Sequence, residues 1–221
     1  MRPVERSKST WYGDHRKSFT KTVTEQSKVI LVGDSLVANL GRYPTVWDDH
    51  LYPLHAVNCG IGGDRSQNVL WRVEHMFLPV TTNVGVIHCG INDIQEKSSL
   101  EPHKIAENVI LCGSKLKERH PWISIIIIGI LPTVESFGGR NSQINQVNSL
   151  LEKACVKRGF LFVGQSSCWR DPDSGGISKS LYWRDGLHLN KRGCLSLAMI
   201  YAANIRKAFL LQNPAPQPLR R

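Results

Sequence analysis

Hydrophobic positions along the chain fall into two kinds of run, and the two kinds alternate. Short unbroken stretches rich in β-branched residues occur at 29–32, 84–89, 123–130 and 160–163, with a weaker one at 54–58. A strand with one face in water would alternate apolar and polar residues, so these unbroken runs predict strands covered on both faces. Between them, apolar residues recur at helical spacing. A short helix over 36–40 follows the first strand. Val69, Leu70, Val73 and Phe77 mark the next, opened by Asp64 or Ser66 as N-cap. Ile105, Val109 and Leu116 mark another over 102–120, with Pro102 in its first turn. Ile144, Val147, Leu151 and Ala154 mark a helix stopped by Gly159, and Leu195, Ala198, Met199, Ala202, Ile205 and Phe209 form the buried face of a closing one. Five strands alternating with helices predict an α/β fold, a five-stranded parallel sheet with helices on both faces.

Composition changes this picture only at the ends. At 221 residues and 41% hydrophobic content the chain can bury one sizeable core. The pattern divides into a basic N-terminal arm over 1–27, one domain over 28–211, and a Pro-rich basic tail over 212–221. The net charge of +10 is concentrated there: residues 1–28 contribute +4 and residues 206–221 another +4. Basic ends suit phosphate backbones or anionic lipid headgroups, and Trp11, Tyr12, Arg16, Lys17 and Lys21 mix aromatics with positive charge as single-strand binders do. Solvated ends without a partner have the same composition. Six dispersed cysteines, without C-x-x-C or zinc spacing, read as reduced core thiols of an intracellular protein, although their even count also fits a secreted disulfide form. The first residues lack the apolar core of a signal peptide, and the longest apolar run, 123–131, has nine residues, short of the ~20 that span a bilayer. These features predict a soluble, cytoplasmic protein.

Candidate chemistry gathers where the predicted strands end, the edge at which parallel sheets bind ligands. Ser35 stands on the turn from the first strand into a helix, in Gly33-Asp34-Ser35-Leu36. Such a turn exposes a hydroxyl beside helix N–H groups, although a helix-capping serine is the commoner occupant. A serine nucleophile needs a base, and Asp185-Gly186-Leu187-His188 supplies an imidazole with an acid three residues before it. Developing oxyanion charge needs donors: the Ser35 N–H, a glycine N–H from Gly60-Ile61-Gly62-Gly63, and the Asn92 side-chain amide are of the right type. Each also has an ordinary reading as a turn or cap. Arg65 stands where a dinucleotide fingerprint needs its third glycine, and no G-K-[ST] follows any glycine run. The loop over 164–187 is long enough to suggest function, with Trp169 and Trp183 either lining a pocket or anchoring the loop.

These residues, in this order, resemble the four sequence blocks of the SGNH (GDSL) hydrolase family. Gly33-Asp34-Ser35-Leu36 looks like the first block, Asn58-Cys59-Gly60-Ile61-Gly62-Gly63-Asp64 the second, Gly90-Ile91-Asn92-Asp93 the third, and Asp185-Gly186-Leu187-His188 the last. The second block and Val69-Leu70-Trp71-Arg72 look closest to the α subunits of intracellular platelet-activating-factor acetylhydrolases. The resemblance implies a three-layer α/β/α flavodoxin-like fold and cofactor-free hydrolysis of small acyl esters or lipids. It implies Ser35 as nucleophile, His188 as general base and Asp185 as its orienting acid. The oxyanion donors it implies are Ser35, Gly63 (ahead of Gly62) and Asn92. A second resemblance, over residues 182–193 with basic flanking arms, is to the esterase domain in first-open-reading-frame proteins of some LINE-type retrotransposons. It implies an RNA-binding, self-associating particle whose coiled coil lies outside this chain. The competing reading is a nucleic-acid or anionic-membrane binding module in which the esterase fold is mainly a scaffold.

Overall fold

The computed structural model describes residues 4, 23–94, 100–134, 140–164 and 167–212. Most of the basic arm and nearly all of the Pro-rich tail lie outside these residues. Five strands, β1 (Val29–Gly33), β2 (Ala56–Gly60), β3 (Val84–His88), β4 (Ser124–Ile128) and β5 (Leu161–Val163), form one sheet in the order β2-β1-β3-β4-β5. Every pairing is parallel. Among the described residues six α-helices cover it: α1 (Ser35–Ala38), α2 (Pro44–His50), α3 (Ser66–His75), α4 (Pro102–Arg119), α5 (Arg140–Arg158) and α6 (Lys191–Gln212).

The unbroken apolar runs have a direct cause. Successive β1 residues feed opposite cores: Ile30 and Val32 pack with α3, α4 and α5, while Val29 and Leu31 pack with α1, α2 and α6. Ile125 and Ile127 of β4 join the first core, Ile126 and Ile128 the second. A strand with water on neither face has no position that favours a polar residue. This is the three-layer α/β/α arrangement expected from the sequence.

Several local expectations are corrected. Residue 54 closes a 3₁₀ turn, Tyr52–Leu54, and His55 takes a left-handed φ of 52°, so β2 starts at Ala56. Helix α2 stands between the short helix and the weaker strand, where the hydrophobic pattern predicts no element, because Val46 is its only buried residue and one residue sets no period. Helix α3 stops at His75; Met76 takes the buried place and Phe77 is left 53% exposed. Helix α6 is turned relative to the expected face: Cys194, Leu197, Ala198, Tyr201 and Ile205 are buried, whereas Leu195 and Met199 are exposed. The turn follows from Tyr201, whose ring fills the core and whose hydroxyl lies 2.6 Å from His88 Nδ1. By length and composition α6 is also long and apolar enough to cross a membrane, although its apolar residues do not form one unbroken run. Five cysteines are buried thiols, but Cys168 is exposed.

Register aligns the strand ends that matter. Gly33 lies opposite Gly60 of β2 on one side and His88 of β3 on the other. The loop after β1 is therefore flanked by the loops after β2 and β3, at the point where strand order reverses. The fit there is close: a methyl group at Gly33 would overlap the His88 carbonyl, and one at Gly60 the Ala38 backbone.

Candidate active site

The turn after β1 sets the position of Ser35. Asp34 caps α1, its Oδ1 accepting the Leu36 N–H at 2.9 Å. Ser35 is therefore the first helical residue rather than the cap, and its hydroxyl is left for another partner. That partner is His188: Ser35 Oγ and His188 Nε2 are 3.0 Å apart across 153 residues of sequence. On the other side of the ring, His188 Nδ1 lies 2.7 Å from Asp185 Oδ2.

The loop that carries the acid and the imidazole is itself held. Asp185 Oδ1 accepts the Leu187 and His188 N–H groups at 3.0 and 2.9 Å, and the Trp183 N–H donates to the His188 carbonyl. Partial burial opposes ionisation of Asp185, but the bonds from Leu187 and His188 outweigh it and hold the carboxyl below its ordinary range. Tyr182 anchors the loop from below, its hydroxyl donating to the Pro132 carbonyl at 2.7 Å. Two 3₁₀ turns, Ser167–Trp169 and Lys179–Leu181, and short antiparallel bridges order most of the stretch that read as structureless.

Beneath Ser35 lies a buried polar layer. Burial pushes the Asp34 carboxyl up to about 7 against the Leu36 hydrogen bond, and its Oδ2 has no partner among the described residues. Arg72, with no exposed surface, donates to Asp64 Oδ2, the Cys59 carbonyl and the Gly33 carbonyl at 2.7, 2.7 and 2.8 Å. Asp64 is therefore an ion-pair partner, not the cap of α3; Arg65 precedes the helix, and Asn68 Oδ1 accepts its N–H. Asp93 accepts both the N–H and the hydroxyl of Ser66, which joins the loop after β3 to the start of α3.

A cleft of about 490 Å³ opens over Ser35, lined by Ala38, Asn39, Arg42, Gly62, Trp183, Asp185 and His188. Ser35, His188 and Asp185 thus meet in one place. Gly63 and Asn92 stand on the flanking loops, and neither lines this cleft. Gly63 takes a φ of 76°, and Asn92 Nδ2 donates one hydrogen to the Asp64 carbonyl at 2.9 Å, tying the two loops together. Trp183 forms a wall of the cleft, whereas Trp169 is a buried anchor tilted against Tyr182. Asn39 and Arg42 carry no motif and were missed; their spacing of four and seven from Ser35 is the signal that locates them. Among the described residues no group of three or more His, Cys, Asp or Glu side chains is arranged to hold a metal ion.

A parallel sheet with serine, imidazole and carboxylate joined at its switch point is the arrangement that acyl hydrolases use. Residues 31–194 match the GDSL-like Lipase/Acylhydrolase family, and the chain belongs to that family. It is 29% identical over 148 residues to the human platelet-activating factor acetylhydrolase IB subunit alpha2, covering 66% of this chain and 62% of that one. Against the human alpha1 subunit it is 30% identical over 145 residues, 65% of this chain and 61% of the relative. The match thus spans about three fifths of these relatives' length. In fold it is similar to a GDSL-like lipase from Bacteroides thetaiotaomicron, with a TM-score of 0.72 at 18% identity, covering 90% of this chain and 97% of that one.

Proposed function

We propose that the chain is a serine esterase that hydrolyses short acyl esters, with Ser35, His188 and Asp185 as its triad. The observation that carries this reading is the continuous relay of 3.0 and 2.7 Å from Ser35 Oγ through His188 to Asp185. His188 Nε2 removes the Ser35 proton as Oγ bonds to the acyl carbon. The tetrahedral oxyanion is held by the Ser35 N–H, by a glycine N–H from the loop after β2, where Gly62 rather than the expected Gly63 lines the cleft, and by the remaining Asn92 amide hydrogen. Imidazolium then protonates the departing alcohol. Water, deprotonated by the same ring, attacks the acyl-enzyme and releases the acid. Asp185 holds the ring tautomer that leaves Nε2 as acceptor and offsets the charge formed on it. The acetylhydrolase names of the relatives support a small acyl group.

The test is a panel of acetyl, butyryl and longer esters given to the native chain and to Asn92→Ala. Short esters should be cleaved fastest, and Asn92→Ala should lower kcat roughly 10²- to 10³-fold, the usual cost of one oxyanion donor. An unchanged kcat in that variant removes Asn92 from the mechanism, and no hydrolysis of any ester by the native chain removes the esterase.

A second reading concerns the ends, where seven Lys/Arg against three Asp/Glu in residues 1–28 favour an anionic polymer or surface. Under it the esterase accompanies RNA or anionic-membrane binding, as in a cytoplasmic retrotransposon-encoded particle. Binding to single-stranded RNA and to anionic vesicles, measured across a salt series, should show a shallower slope for a chain starting at Lys28 than for the full chain. Identical slopes would leave the arm without such a role.

A further inference from the structure

We infer that Arg42 and Asn39 form a subsite for an anionic group, a carboxylate or a phosphate, carried by the ester substrate. The inference deepens the esterase reading and rests on it. Ser35 opens α1, and the 3₁₀ turn Asn39–Arg42 continues it without a break. Positions 35, 38, 39 and 42 therefore share one face, and all four line the same cleft. Ala38, between the serine and the arginine, is small enough to leave the path between them open. Side chains on a helix lean toward its N-terminus, so the guanidinium at 42 leans back toward the serine. Seven residues of helix advance about 10–14 Å. The reach of the arginine side chain covers part of that, which leaves space for a short linker between scissile carbonyl and anion.

Charge points the same way. Among the described residues Asp185 is the only acid lining the cleft, and its carboxylate is already engaged by His188 and by two backbone N–H groups. Among the described residues no hydrogen bond or ion pair occupies the side chain of Arg42 or of Asn39. A planar guanidinium with its fork open, beside an amide, is the donor set that selects a carboxylate or phosphate over a neutral group. Trp183, 55% exposed and lining the same cleft, offers a flat apolar surface to the linker.

Three acetyl esters of similar length test this: 4-acetoxybutyrate, 3-acetoxypropyl phosphate and neutral butyl acetate, followed by acetate release at low ionic strength. The native chain should favour at least one anionic ester over butyl acetate by roughly tenfold in kcat/KM. Which anion gains more distinguishes carboxylate from phosphate. In Arg42→Gln the ratio should fall to about one, in Arg42→Lys it should fall part of the way, and added salt should shrink it in the native chain. A native ratio near one, or an Arg42→Gln variant that lowers all three rates in parallel, overturns the subsite. Calorimetric binding of both anionic esters to the Ser35→Ala chain keeps the two readings separable. Binding no tighter than that of butyl acetate rejects the subsite alone. Tighter binding that Arg42→Gln abolishes, in a protein whose native form cleaves none of the three, rejects the esterase and retains the subsite.

Discussion

Replacing Ser35 with alanine should lower kcat/KM for 4-nitrophenyl acetate by about 10⁴- to 10⁶-fold, the range seen when a triad nucleophile is removed. The size follows from what remains. Without Oγ no acyl-enzyme forms, and His188 can at best activate water while the oxyanion donors still bind the carbonyl. The fold should be untouched, for reasons that are local. Asp34, not Ser35, caps α1, so the cap bond to Leu36 survives. Alanine is also a better helix former than serine at a first helical position. Circular dichroism and the thermal midpoint should therefore match the native chain. Full activity in the folded variant would remove Ser35 from the chemistry; lost activity with lost structure would point instead to an unrecognised structural role for the hydroxyl.

The sheet was legible because its cause is local. Ile30 and Leu31 face different cores, and that requirement writes itself into the sequence as an unbroken apolar run. The meeting of Ser35 with His188 was not readable that way, since no periodicity couples residues 153 apart. It came from the order of four short blocks. Features were missed where the signal was too short or of the wrong kind. Helix α2 buries one side chain, and Tyr201 turns α6 because it fills the core with an aromatic ring that carries a polar tip. Trp169 and Trp183 show the limit most simply, since the same residue type in one loop serves as a core anchor in one case and a cleft wall in the other. Arg72 marks a further limit: a charged residue on a helix reads as solvent-facing, although its place three residues after Val69 and next to Val73 puts it on the buried face.

Arg72→Met should destabilise the domain by about 3–5 kcal/mol, the usual cost of breaking a buried ion pair from one side. For a domain of this size that lowers the thermal midpoint by roughly 6–20 °C. Methionine keeps much of the stem volume, so the loss reflects charge and hydrogen bonds more than a cavity. Asp64 would keep a buried carboxylate without its cation, and the carbonyls of Cys59 and Gly33 would lose their side-chain donor. The pair with Asp64→Leu separates these effects. Removing the stranded carboxylate should recover part of the loss, but the two carbonyls remain without that donor, so recovery should be incomplete. Urea unfolding of the native chain and both variants measures the difference. A loss below about 1 kcal/mol for Arg72→Met would mean that water replaces the guanidinium, and that the ends of β1 and β2 are held by strand pairing alone. A loss of the expected size, with reduced esterase activity in the fraction still folded, would mean that the same guanidinium also fixes the two loops between which Ser35 stands.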